Sequence, residues 1–404
     1  MMVRAGLLLG LVLIVFSLGK SPVFRVDRAG AAIIAATLMV GLGVLDFAGA
    51  IRAIDFRTLL ILFFMMIVIA NLKVAGFFDL IGSVLLRRVA TRRQLLLAVI
   101  FISGGLSAVC INDIVCLLFT PIVLLVCAKA RCNPLPHLLG VAIASNIGSA
   151  ATFLGNPQNI LIASLSGVPF LTYFRTALPV ALAGLACAYW VIARLYRREL
   201  QGPLPALEQD RVGCHRYLAF KSLIVLALVI AGYIAGQDLA LTSSLGAAFL
   251  LITRRVKPNK IYASIDFNLL IIFAGLFVLV GGLEQSGLAR LLVREAARWV
   301  DLQNRAVFAL LTVALSNLVS NVPAVLLLKF FLPETGAAAW WQALALFSTF
   351  AGNLTITGSI ANLIVVEIAK RHNVRIGFAD YLKAGLPVTL ITSLLGLVFF
   401  HWLS

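Results

Sequence analysis

Charge is scarce in this chain. Only 12% of its 404 residues are Asp, Glu, Lys or Arg, against 62% hydrophobic residues and a mean hydropathy of +1.05. No stretch is polar enough for long enough to make a soluble domain, so a polytopic membrane protein remains. Acids are the scarcer sign, 16 against 33 Lys and Arg, for a net charge of +17. That surplus does not indicate nucleic acid, because the basic residues lie between apolar segments, as loops beside an anionic leaflet require. No G-x-x-x-x-G-K-[ST] loop is present, which speaks against ATP-driven pumping by this chain alone. No acid/base pair or nucleophile with its base is legible, which argues against a polytopic membrane enzyme. The six cysteines (Cys110, Cys116, Cys127, Cys132, Cys187, Cys214) contain no C-x-x-C pair and read as small packing residues. The four histidines (His137, His215, His372, His401) are scattered near segment ends and suggest no ligand set.

Against this apolar background one stretch stands out. Ser145 to Ser166 sits between apolar flanks, yet its middle reads Gly155-Asn156-Pro157-Gln158-Asn159. Proline removes a helical donor and glycine gives no side-chain constraint, so a continuous helix should fail there. A second such stretch runs from Ser348 to Glu367. At a shift of 203, Ser145 falls on Ser348, Thr152 on Thr355, Gly155 on Gly358 and Asn159 on Asn362. A helix broken at membrane depth strands backbone groups, and this is tolerable only where protein or a polar cavity supplies partners. That is the pattern of a transporter binding site.

In chain order, spanning helices are expected at 5–19, 29–46, 56–72, the broken 136–165 and 168–193. An interfacial helix at 77–93 and a polar-tipped hairpin with arms 95–109 and 114–128 lie between the third and fourth. A signal-peptide reading of the first segment fails for want of a small-x-small cleavage site. The polar stretch 199–216 divides the chain, giving one repeat over 1–198, a linker, and a second repeat over 217–404. The second repeat has helices at 217–236, 239–253 and 267–283, an interfacial piece at 286–300, a hairpin at 304–331, the broken 338–368, and 377–402. Ile54-Asp55-Phe56 matches Ile265-Asp266-Phe267 at a shift of 211, and Leu106, Ser107 and Asn112 match Leu315, Ser316 and Asn321 at 209. The hairpin arms form either two full spans or a re-entrant hairpin whose polar tip points into the protein. Full spans would give six per half and no inversion, whereas with re-entrant hairpins each half has five spans, and an odd number inverts the second half. The fold expected is therefore all-α and polytopic, with two inverted-topology repeats of five transmembrane helices plus a re-entrant hairpin. Under that topology 24 of the 33 Lys and Arg fall on one side, which becomes the cytoplasm, with both termini outside.

Half-helix N-termini present free amides and partial positive charge near the midplane, which favours anions. Gly155, Asn156, Pro157 and Asn159 in one half, and Asn353, Thr355, Thr357, Gly358, Ser359 and Asn362 in the other, are the candidate substrate residues. The hairpin tips add Asn112, Ser320 and Asn321. This lining is neutral and donor-rich, suited to an oxyanion or hydroxylated solute that must also leave. Asp113 is the one carboxylate placed at depth, and a buried carboxylate costs about 2.5 to 3.5 kcal/mol on insertion scales. It is the candidate coupling residue, with Thr152, for a proton or for Na⁺ held near Asp113, Asn112 and Asn159. Its match in the second repeat is Val322, so the carboxylate is one-sided.

These motifs carry a resemblance. Asn112-Asp113 followed by LLFTPIVLL, the run NIGSAATFLGNPQNILI from Asn146, SNVPAVLLL from Ser320 and GSIANLIV from Gly358 resemble the ion transporter superfamily. The nearest branches are the citrate-transporter-like anion permeases, the arsenite permeases and the sodium/proton antiporters of that superfamily, and GNPQN with GSIAN most resembles bacterial anion-transporter members. The resemblance implies a bacterial inner-membrane permease for a small anion, a homodimer, elevator-type alternating access, and no cofactor beyond a coupling Na⁺ or H⁺. Arsenite or antimonite efflux by proton exchange, and Na⁺/H⁺ antiport, are the alternatives. Dicarboxylate and sulfate members resemble a Ser-Asn-Thr signature at both tips, whereas here the tips read Ile111-Asn112-Asp113 and Ser320-Asn321-Val322.

Overall fold

The computed structural model of the chain describes residues 1–21, 23–205, 213–253, 256–301, 303–333 and 335–402. Residues 206–212 of the expected linker, and Arg254 and Arg255 of the basic set, lie outside the described residues. The protein is an all-α polytopic membrane protein, and among the described residues there is no β-structure beyond two isolated bridges.

The first half opens with α1 (Met2–Leu18), α2 (Arg28–Gly41), a short α3 (Phe47–Ala53) and α4 (Phe56–Val74). The expected helix 29–46 ends early: at Gly43 the chain turns with φ of 68°, and the last residues join the unexpected α3. Then come α5 (Phe77–Arg88), the hairpin arms α6 (Arg92–Val109) and α7 (Asn112–Lys129), the half-helices α8 (Leu135–Ser149) and α9 (Pro157–Ser166), and α10 (Phe170–Leu195). The second half runs α11 (Arg216–Ile234), α12 (Leu239–Leu251), a five-residue α13 (Pro258–Tyr262), α14 (Phe267–Gln285) and α15 (Leu288–Trp299). It closes with the hairpin arms α16 (Arg305–Val319) and α17 (Asn321–Leu328), the half-helices α18 (Ala337–Ala351) and α19 (Ile360–Arg371), and α20 (Phe378–Trp402). Among the described residues seven helices, α4, α6, α7, α10, α11, α14 and α20, are long and apolar enough to cross a membrane.

Helix starts explain why the halves match. Asp27 and Asp238, 211 residues apart, cap α2 and α12 by accepting from the backbone N–H three residues on, at 2.8 Å in each case. Asp55 and Asp266 cap α4 and α14, accepting from the N–H of Arg57 and of Leu269 at 3.1 Å. A carboxylate at an N-cap takes one of the four orphan donors and meets the positive end of the helix dipole, so these acids define where each span begins.

Helices then sort by packing rather than by sequence half. α2 lies along α14 and α12 along α4, while α1 and α11 flank these pairs. Close approach of α2 to α14 depends on Gly275, where a Cβ would fall 2.7 Å from the backbone of Ala32. The hairpins, the half-helices, α10 and α20 form the other group: α6 on α8, α16 on α18, α7 on α19, and α10 on α20. The described linker residues are tied down as well, with Leu204 donating to the Ala90 carbonyl at 2.8 Å and His215 to Ala75 at 3.0 Å. Both breaks sit within this second group, against α8, α10, α16, α18 and α20.

Candidate functional site

Both helices break where the sequence predicts. The first is interrupted from Ala150 to Asn156 and the second from Gly352 to Ser359, the latter holding a single 3₁₀ turn at Ile356–Gly358. Stranded carbonyls in each break are taken by one asparagine. Asn159 Nδ2 donates to the carbonyls of Ser149 at 3.3 Å and Thr152 at 3.1 Å. Asn362 Nδ2 donates to Gly352 at 2.6 Å and Thr355 at 3.1 Å. The acceptors lie ten and seven residues back in both cases, so one local solution is used twice. Gly155 and Gly358 are needed because these loops fold back on themselves. A Cβ on Gly155 would overlap the Ser149 backbone, and one on Gly358 would fall 2.6 Å from Asn317 Oδ1.

The breaks are then laced together across the molecule. Asn156 Nδ2 donates to Thr349 Oγ1 at 3.0 Å, and Thr349 donates to Asn159 Oδ1 at 3.2 Å. In the reciprocal direction Ser359 Oγ donates to Asn146 Oδ1 at 3.0 Å, and Asn146 Nδ2 donates to Asn362 Oδ1 at 3.0 Å and Asn353 Oδ1 at 3.1 Å. Exchanging 146 with 349, 156 with 359 and 159 with 362 maps one set of partners on the other. The site is a buried amide and hydroxyl cluster with a local pseudo-two-fold.

Hairpin tips complete it. Asn112 N–H donates to the Gly155 carbonyl at 2.9 Å, and its side chain donates to Asn146 Oδ1 at 3.0 Å. Asn321, with its amide oriented to satisfy its neighbours, donates to the Gly358 carbonyl at 3.3 Å and the Ser348 carbonyl at 3.2 Å, and accepts from Gln158 Nε2 at 3.0 Å. Each tip therefore touches the break of its own half. Ser320 turns the second tip with φ of 75°, a conformation L-residues rarely adopt, and it is the kind of outlier that collects at functional sites. Thr152 donates to the Ala108 carbonyl and Thr355 to Asn317 Oδ1 at 3.0 Å, so both threonines pin a break to the first arm of its hairpin.

Most of the predicted residues meet in this cluster, but their capacity is not equally free. Asn156 caps α9 by accepting from Asn159 N–H at 2.9 Å, while Pro157 fills the first helical position, where its missing N–H costs nothing. Asn159 has both amide atoms engaged. Among the described residues, buried atoms without a hydrogen-bond partner include Asn112 Oδ1, Asn353 Nδ2 and the hydroxyls of Ser107 and Ser316, the last two again at matching positions. Thr357 is exposed and shares a 3.2 Å hydrogen bond with Thr355. Buried groups without partners are costly.

Asp113 does not cap its own helix, which begins at Ile111 without a side-chain cap. Its carboxylate instead meets the backbone N–H of Ala361 at the start of α19, within electrostatic reach of Arg28 and Asp266. Arg28 is itself held by the Phe16 carbonyl at 2.9 Å. The N-terminus of the half-helix α19 thus faces a carboxylate carried in the first turn of the hairpin arm α7.

Sequence reasoning missed Asn146, Thr349, Asn317 and Gln158. The shift of 203 that pairs Ser145 with Ser348 also pairs Asn146 with Thr349, and that polar match was the available signal. One expectation fails outright: His137 is not isolated, since a ring nitrogen lies with the sulfurs of Cys127 and Cys132 inside a single 4.8 Å cluster. The spacing Cys-x₄-Cys-x₄-His falls outside the C-x-x-C pattern, and only the turn between α7 and α8 reveals it.

A family model described as citrate transporter matches residues 11–351. The chain belongs to the citrate transporter family. Membership in this transporter family agrees with the superfamily that the motifs resemble. The chain is 31% identical to the 46 kDa membrane protein of Mycobacterium leprae, over 91% of this chain and 92% of that protein. It is 28% identical to the silicon efflux transporter LSI3 of Oryza sativa subsp. japonica, over 93% of each. In fold it resembles the crystal structure of the Alcanivorax borkumensis YdaH transporter, described as having an unusual topology, with a TM-score of 0.61, 16% identity and coverage of 99% of this chain and 96% of that one.

Proposed function

We propose that this citrate transporter family member is a secondary transporter that carries a small anion across the bacterial cytoplasmic membrane, coupled to Na⁺ or H⁺. The observation that carries this reading is the neutral cluster at two helix breaks, joined to a single carboxylate. Amides and hydroxyls offer an anion several weak, replaceable hydrogen bonds, which a fixed Arg or Lys at the same place would make too tight to release. Asp113 is the coupling residue: a proton or Na⁺ on it removes the charge that repels the anion, so the two bind together. Both tips act as re-entrant hairpins. In support, each tip meets the middle of a broken helix; in the second hairpin α17 has eight residues, about 12 Å of helix against about 30 Å of hydrocarbon, whereas the arms α6 and α7 of the first have 18 residues each and re-enter on the tip contact alone. The two helix groups then move relative to one another as an elevator within a homodimer, with both termini outside the cytoplasm.

A second reading has one observation in its favour. Asp113 stands at the break that reaches the surface, where a carboxylate disfavours an anion and tolerates a neutral hydroxylated solute such as arsenous, antimonous or silicic acid. A rice relative named for silicon efflux supports it, with proton exchange through Asp113 as the drive.

Transient currents from proteoliposomes on a solid-supported membrane test both. The protein is challenged with sulfate, phosphate, dicarboxylates, citrate, arsenite and silicate, with and without Na⁺ or a pH step. Current for one anion that needs the cation gradient and vanishes in Asp113→Asn supports the first reading. Proton movement evoked only by arsenite or silicate supports the second, and charge movement on Na⁺ or pH jumps alone overturns both in favour of cation antiport.

A further inference from the structure

The far end of the first hairpin gathers three side chains that transport leaves idle. Cys127 lies in the last turn of α7, Cys132 in the turn that follows, and His137 in the first turn of α8. One ligand atom from each lies within 4.8 Å of the others. Donors around a tetrahedral cation at bond lengths of about 2.0 to 2.3 Å are about 3.3 to 3.8 Å apart, so a rotation of the half-exposed Cys132 closes the remaining gap.

The surroundings are already arranged for a ligand. Cys132 N–H donates to the Cys127 carbonyl at 3.1 Å, which folds the turn and brings the two sulfurs together. His137 is 1% exposed; its Nδ1 lies 3.2 Å from the Asn133 carbonyl, and its Nε2 has no hydrogen-bond partner. An imidazole with its proton held at Nδ1 by a carbonyl offers Nε2 as a bare lone pair, the arrangement seen around metal-ligating histidines. Cys132 also lines a cavity of about 400 Å³ with Pro134 and His372, so this ligand is reachable from outside.

Two sulfurs and an imidazole reject hard cations such as Na⁺, Mg²⁺ and Ca²⁺ and select borderline or soft ones. We propose that Cys127, Cys132 and His137 form a binding site for a thiophilic d-block cation of the zinc class, which cross-links the end of the first hairpin to the start of the first broken helix. Each Cys loses its proton to solvent on binding, and no oxidation occurs. Such a cross-link stiffens the Ala130–Pro134 connection, on which alignment of the Asn112 tip with the Gly155 break depends.

The test uses the purified full chain in detergent with a phosphine reductant, so that a Cys127–Cys132 disulfide cannot form. Titration with Co²⁺ should give a thiolate-to-cobalt charge-transfer band that saturates at one equivalent and is displaced by Zn²⁺. Cys132→Ser should weaken binding at least tenfold. In the unaltered protein, Zn²⁺ should slow maleimide labelling of Cys132 at least tenfold while leaving Cys187 and Cys214 unchanged, a readout that stands even where a variant fails to fold. No charge-transfer band together with an unchanged labelling rate overturns the proposal, as does a band that persists in the Cys127→Ser, Cys132→Ser double variant. Neither measurement requires transport, so the site and the transport reading fail or stand separately.

Discussion

Every residue from Ala150 to Asn156 is buried, whereas across the second break Leu354, Thr355 and Ile356 are half-exposed and Thr357 faces outward. The hydrogen-bond frame of the two breaks is nearly the same, so the difference comes from what covers them. Over the first, Phe153 stacks on Tyr173 with ring centres 4.1 Å apart, and the Tyr173 hydroxyl donates to the Ala150 carbonyl at 2.7 Å. At a shift of 203 these aromatic positions are Ile356 and Ile376. The second break lacks a lid and its helix lacks a side-chain cap, but it has Asp113. One copy satisfies itself; the other is left able to take a partner. Duplicated frames can therefore diverge in function through a few cover residues while the costly backbone solution stays fixed.

Glycine substitution should separate the copies most sharply. In Gly155→Ala the new Cβ meets backbone that cannot swing away, and we expect a loss of about 3 kcal/mol, enough to deplete folded protein in size-exclusion chromatography. In Gly358→Ala it meets the Asn317 side chain, which can rotate at the expense of its bond to Thr355, so about 1 to 2 kcal/mol is expected. Equal losses in thermal unfolding would show that both breaks are equally rigid. Next in size is Asp113→Asn, which keeps the shape and removes the charge. Ion-driven uptake should fall about 10- to 100-fold, the worth of a charge-assisted contact of about 1.5 to 3 kcal/mol, with folded yield retained. Full gradient-driven accumulation in that variant would remove Asp113 from coupling.

The two helix breaks were legible because each rests on a local rule. Proline and glycine interrupt a helix, aspartate starts one, and a recurring shift exposes duplication. The Asn159 and Asn362 positions were legible for the same reason. The lacing was not. That Asn146 reaches Asn353 and Asn362, more than 200 residues on, depends on how α8 and α18 meet, and no periodicity encodes it. Nor did the sequence tell which break is covered, since Phe153 and Tyr173 read as ordinary apolar-segment residues until their rings are seen stacked. The Cys127, Cys132 and His137 cluster escaped because a turn, rather than a motif, sets its spacing.

Whether the covered and open states are fixed or exchange is the sharper question. Leu154 and Thr357 are matched positions, the first 3% exposed and the second facing outward. In a background freed of native cysteines, Thr357→Cys should react with a charged thiol reagent from one side at least tenfold faster than Leu154→Cys. In alternating access through related halves the covers trade places, so a gradient that reverses the resting state should reverse that ratio. A ratio that never changes would make the first break purely structural.

Smallest in energy, yet most specific to the lid, is Tyr173→Phe. The ring and its stack on Phe153 remain, while the hydroxyl's bond to the Ala150 carbonyl and the longer one it accepts from Asn159 Nδ2 at 3.4 Å are lost, leaving a buried carbonyl without that donor. About 1 to 2 kcal/mol of stability should go, visible as a lower unfolding midpoint. If the lid opens during the cycle, the loss falls on the covered state alone and transport speeds or stalls with the direction of the gradient. If the lid is fixed, the same loss is shared by every state of the cycle, and the rates stay unchanged while the midpoint still drops. The hydroxyl thus reports whether the covered copy takes part in transport or holds the fold for its partner.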